Sequence, residues 1–163
     1  MKAPEDAKPQ SWQRFFAASA NNAAWTLAEL PADEVDMREL LDAAHAAAWH
    51  WQNIGTELNR MRALMLVALA HAKAGLGTTA LAYAEDMRAY FLASPSTPDW
   101  EIAFAHVVHA HAAWAAGAEE SHARSCAQSA QAIAAIASAE DRDVVQRVFR
   151  HVPTPRAKPD SSA

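Results

Sequence analysis

Residues 56–77 read TELNRMRALMLVALAHAKAGLG, and this stretch decides the fold class. Thr56 stands where an N-cap hydroxyl would satisfy the free amides of a first helical turn. The run Ala63 to Ala70 has no polar face, so the helix carrying it must be covered on most sides. Gly75-Leu76-Gly77 then closes the segment, because glycine enters the left-handed conformation that ends a helix without a side-chain clash. This third helix is expected to be the central one, with Gly75 or Gly77 left-handed.

The pattern recurs down the chain. Thr97, as N-cap, with Pro98 at the first helical position opens another apolar segment, and Gly117 closes it. The two glycine stops are 42 residues apart and the two starts 41. Asp99 and Glu101 fall in the first turn of that fifth helix, where carboxylates favour the positive end of the helix dipole. Between the copies, Thr78 or Thr79 caps a fourth helix with Leu81, Ala84, Met87 and Phe91 inside, ended by Ser94 to Pro98. After Gly117 a sixth helix places Cys126, Ala130, Ile133 and Ile136 on one face. Ser138 opens a short seventh helix with Val144, Val145, Val148 and Phe149 inside and Arg142, Arg147 and Arg150 towards water.

Upstream, a first helix runs from Ser11 to Leu30 and stops at Pro31. A second starts near Asp33, carries Met37, Leu40, Leu41, Ala44, Ala47, Ala48, Trp51 and Ile54 at three-four spacing, and stops at Gly55. Short loops force successive helices antiparallel, so about seven helices in stacked hairpins give an all-α architecture of the α-solenoid kind. The expected layout is one helical-hairpin domain over 11–152, flanked by disordered tails at 1–10 and 153–163, which are rich in Pro, Lys, Asp and Ser.

In residues 57–137, Leu69, Gly75 and Ala80 resemble the helix, glycine stop and small packing residue of a tetratricopeptide repeat. The period departs from the family's roughly 34 residues, Ala84 stands beside Tyr83 where an aromatic is usual, and His122 occupies the small position of the second copy. The resemblance implies a TPR-like right-handed superhelix and a partner-binding scaffold.

Composition narrows the function. The sequence contains 42 alanines among 163 residues, with only 4 Gly and 8 Pro, which favours close helix contacts and starves β-turns of their usual residues. A net charge of −5 with no Lys or Arg cluster excludes a nucleic-acid surface. One cysteine, Cys126, suits a reducing compartment, and the longest apolar run is far too short to span a bilayer. A cytoplasmic protein with no membrane partner is expected.

Eight histidines invite a metal reading, but only His106 and His109 share a helical face, and neither has a carboxylate three or four residues away. No metal, no cofactor and no catalytic residue is therefore assigned, and the histidines are expected to fill gaps and bond neighbouring carbonyls. His50, Asn59, Arg62 and His106 lie beside apolar stripes and form a candidate polar network or pocket. Arg62 in such a place needs a carboxylate, with Asp86, Asp99, Glu101 and Asp141 available. Trp49 and Trp51 project about 200° apart, so the stripe takes Trp51 and leaves Trp49 as a candidate partner contact, unless the first helix covers it. The sequence thus points to a non-enzymatic module that binds a protein partner or associates with itself. The alternative is a histidine-lined pocket among the second, third and fifth helices that binds a metal or small ligand.

Overall fold

The computed structural model describes residues 2–5 and 8–155. Seven helices run through them: α1 (Pro9–Ala28), α2 (Met37–Ile54), α3 (Glu57–Lys73), α4 (Gly77–Ala93), α5 (Asp99–Ala115), α6 (Glu119–Ala135) and α7 (Ala139–Phe149). At the head of α3, Thr56 and Asn59 exchange caps: the Asn59 amide donates to Thr56 Oγ1 and the Thr56 amide to Asn59 Oδ1. Each helix packs on the next, and the odd-numbered ones also touch in series, α1 on α3, α3 on α5, α5 on α7. They form a continuous row.

The α3–α4 and α5–α6 hairpins are in register over their whole length. Every helix of the second starts and ends 42 residues after its counterpart. Both chain reversals close the same way: Gly75 and Gly117 have φ of 74° and 70°, the Leu76 amide donates to His71 O and the Ala118 amide to Ala113 O, each at 2.9 Å. This six-to-one bond is the Schellman closure that a left-handed glycine permits.

The structure corrects several expectations. The most buried helix is α5, with twelve of seventeen residues buried against eight in α3, because α3 leaves its polar first turns at the surface. Helix α1 begins at Pro9, whose missing amide costs nothing at that position, and ends at Ala28, where Lys73 Nζ donates to the carbonyls of Ala28 and Leu30 at 2.9 and 2.7 Å. Helix α2 begins at Met37 with Asp36 as its cap, accepting from the amides of Arg38 and Glu39. Neither Thr78 nor Thr79 caps α4, which starts at Gly77. That glycine is not left-handed; a Cβ there would lie 2.1 Å from Ala115 O, so it is the close approach of two helix ends that requires it. Pro98, not Thr97, is the residue before α5.

Arg142 is half-buried and donates to Ile136 O, and Arg147 pairs with Glu29, so neither simply faces water. Residues 156–163 of the expected C-terminal tail, and Met1, Asp6 and Ala7 of the N-terminal one, lie outside the described residues. The Pro153 carbonyl packs against α6, 2.9 Å from His122 Nε2. Among the described residues no helix is long and apolar enough to cross a membrane.

Candidate functional site

The row of odd helices brings residues from across the sequence to one cleft of about 430 Å³. Helix α1 contributes Trp25, Glu29 follows directly after it, α3 contributes Asn59 and Arg62, and α5 Trp100, Glu101 and Phe104; Trp51 reaches in from α2. Trp100 packs edge to face on Phe104 with centroids 6.2 Å apart, and Trp25 lies tilted against the same ring at 5.3 Å. Such contacts fix the walls, since aromatic pairs prefer tilted geometry.

Its floor is an ion pair between the two in-register hairpins. Arg62 Nε donates to Glu101 Oε1 at 2.6 Å, and the guanidinium carbon sits 5.4 Å from the centre of the Trp100 ring. The partners are unequally covered: Glu101 is 2% exposed, while the Arg62 side chain is 43% exposed. Glu101 is thus a buried carboxylate that depends on its single cation, while Arg62 spans from floor to solvent with donors left over. Next to the cleft, Arg147 Nε lies 3.3 Å from Glu29 Oε2, so the charges of this largely apolar cleft are balanced.

Of the four network candidates, only Asn59 and Arg62 reach this cleft. His50 is one residue before Trp51, about 100° round α2, and its ring lies 5.8 Å from Phe16 of α1. His106 follows Glu101 by five residues, about 140° round α5, and faces the opposite side, beside Arg88. No histidine lines the cleft. Trp49 stands 69% exposed on α2, away from it. Trp25, Glu29, Trp100 and Phe104 were not among the residues that the sequence singled out. The 42-residue repeat was the available signal, because stacking its copies aligns positions 62 and 104 on neighbouring helices.

Four of the five buried histidines are bound to neighbours, and His106 is the exception. His71 Nδ1 meets Val67 O at 2.9 Å, His109 Nδ1 meets Ser125 Oγ at 2.8 Å, and His111 Nε2 meets Val148 O at 3.3 Å. His122 bridges Ala110 O and Pro153 O. Burial pushes His106, His109 and His111 down to about 4, with the Arg88 charge adding to the effect on the first two. Burial raises the Cys126 thiol, which keeps it protonated and a poor nucleophile. Among the described residues no three His, Cys, Asp or Glu side chains are grouped to hold a metal ion.

A scan against protein-family models and searches of curated proteins and of solved structures found no match.

Proposed function

We propose that this chain is a non-enzymatic, cytoplasmic interaction module, a divergent TPR-like superhelix that takes a segment of a partner protein into the tryptophan-lined cleft. The observation that carries the reading is the Arg62–Glu101 pair beneath Trp100. It is held between two hairpins, so the half-exposed guanidinium is oriented before any partner arrives, which reduces the ordering cost of binding. The walls suit one apolar or aromatic side chain, and the spare donors of Arg62 suit an oxygen acceptor next to it. Aromatic and arginine side chains of this kind are the usual anchors of protein interfaces.

Peptide display against the purified chain tests this. Selected peptides should carry an aromatic or large aliphatic residue beside an acceptor, and Trp100→Ala should weaken them about tenfold or more, corresponding to about 1.4 kcal/mol. Equal binding by Trp100→Ala would remove the cleft from the account. Trp49, exposed on another side, supports self-association as a second reading; sedimentation showing one monomeric species at all concentrations would end it.

A further inference from the structure

On the far side of α5 from the cleft, three helices converge on a cluster whose arginines make no ion pair among the described residues. Arg88 comes from α4, His106 and His109 from α5, and Arg124, Ser125 and Gln128 from α6. Arg88 Nη2 donates to Gln128 Oε1 at 2.8 Å, spanning the seam between α4 and α6. Two buried nitrogens of the cluster, Arg88 Nε and His106 Nδ1, have no hydrogen-bond partner among the described residues. His106 is only 8% exposed.

An orphaned polar group in such a place is costly because its desolvation is not repaid, and arginine cannot escape by losing its proton. Ordinarily a half-buried guanidinium is matched by a carboxylate, as Arg62 is by Glu101. Here no ion pair reaches Arg88 or Arg124 among the described residues. Glu85, on the same helix, favours the charged form of Arg88, but burial and the neighbouring Arg124 outweigh it and lower the pKa of Arg88. The charge left uncompensated is therefore positive.

We propose that this seam is a binding site for a small tetrahedral oxyanion of the phosphate class, with Arg88 Nε and His106 Nδ1 as its inner donors and Arg124 supplying the outer charge. The guanidinium edge offers parallel donors to two oxygens, and the Nδ1–H tautomer of a neutral imidazole donates to a third position. Two cations that make no ion pair among the described residues favour a doubly charged ligand over a singly charged one. The site shares no side chain with the cleft, so it stands or falls independently of the partner-binding reading.

Titration calorimetry of the full chain with inorganic phosphate, and separately with acetate, tests the assignment. One phosphate per chain should bind, Arg88→Met and His106→Phe should each weaken it at least tenfold, and Arg150→Met, an exposed change, should leave it unaltered. Acetate should bind at least tenfold more weakly. Should Arg88→Met fail to fold, Arg88→Lys keeps the charge, loses the fork and should still weaken binding. In the wild type, the ring nitrogens of His106 should shift by NMR on adding phosphate while those of His45 stay put. No phosphate binding at millimolar concentration, undiminished binding by Arg88→Met or Arg88→Lys, no shift at His106, or equal affinity for acetate would overturn the proposal.

Discussion

The α3–α4 and α5–α6 hairpins share one backbone plan but fill it with opposite chemistry. Forty-two residues separate each pair of equivalent positions. In that register Leu64, Val67 and Leu69 of α3 become His106, His109 and His111 of α5, while Ala80, Tyr83 and Met87 of α4 become His122, Ser125 and Ser129 of α6. The first hairpin is held mainly by apolar burial, with Leu69, Ala80 and Met87 wholly covered and His71 as its one buried imidazole. The second buries comparable positions with imidazoles and hydroxyls that must find partners inside, and most do. A helical-hairpin stack evidently tolerates a polar interior when each buried donor or acceptor is matched, since the matched bond roughly offsets its desolvation. It also means that the two copies respond differently to the same perturbation.

The largest difference is expected in acid. His106, His109 and His111 are neutral in the fold down to about pH 4, whereas in the unfolded chain they take up protons near pH 6.5. Stability is therefore fully present above pH 6.5, falls as pH drops towards 4, and loses nothing further from these groups below that. His111 alone corresponds to a loss on the order of 3 kcal/mol at pH 4. His111→Leu, which restores the residue of the first hairpin, should flatten the decline between pH 6.5 and 4.5 in urea titrations. Hydrogen exchange at pH 4.5 should show α5 and α6 opening before α4; a uniform loss across both hairpins would contradict the comparison.

Gly77 is next. Its Cβ would collide with the backbone of Ala115, so Gly77→Ala must push α4 and α5 apart and should cost about 2 kcal/mol, as overpacking does. The equivalent residue of the second hairpin is Glu119, a side chain with room to stand exposed. The chain reversals themselves should behave alike: Gly75→Ala and Gly117→Ala meet no neighbouring atom but retain a positive φ, and each should cost about 1 kcal/mol. Matching shifts in melting temperature for these two and a larger one for Gly77→Ala would sharpen the register. A smaller shift for Gly77→Ala would break it.

Much of the helical order was legible because apolar runs, caps and glycine stops act locally. Thr56, Gly55, Gly75, Gly117 and Ser138 ended or began helices where they were read to do so. Of the misplaced starts, those at Asp33 and at Thr78 or Thr79 were decided by competition between adjacent caps or by tertiary contact, as Gly77 shows. The site was less legible. Arg62 stood out as a polar residue amid core positions, and Glu101 was among four possible partners. Trp25, Trp51 and Trp100 could not be joined by helical periodicity, which places residues on a face but does not say which face meets which. His50 and His106 failed to join the cleft for the same reason: each points round its helix towards a different neighbour.

The Arg62–Glu101 pair links the two unlike hairpins and sets the floor of the cleft, so its strength is the most direct test. Arg62→Met retains the stem but strands a carboxylate that is 2% exposed, and its urea midpoint should fall by the equivalent of about 3 kcal/mol. Adding Glu101→Gln to the same chain should recover part of that loss. A midpoint unmoved by Arg62→Met, or a double variant losing the full sum of the single changes, would contradict a prebuilt, mutually dependent floor.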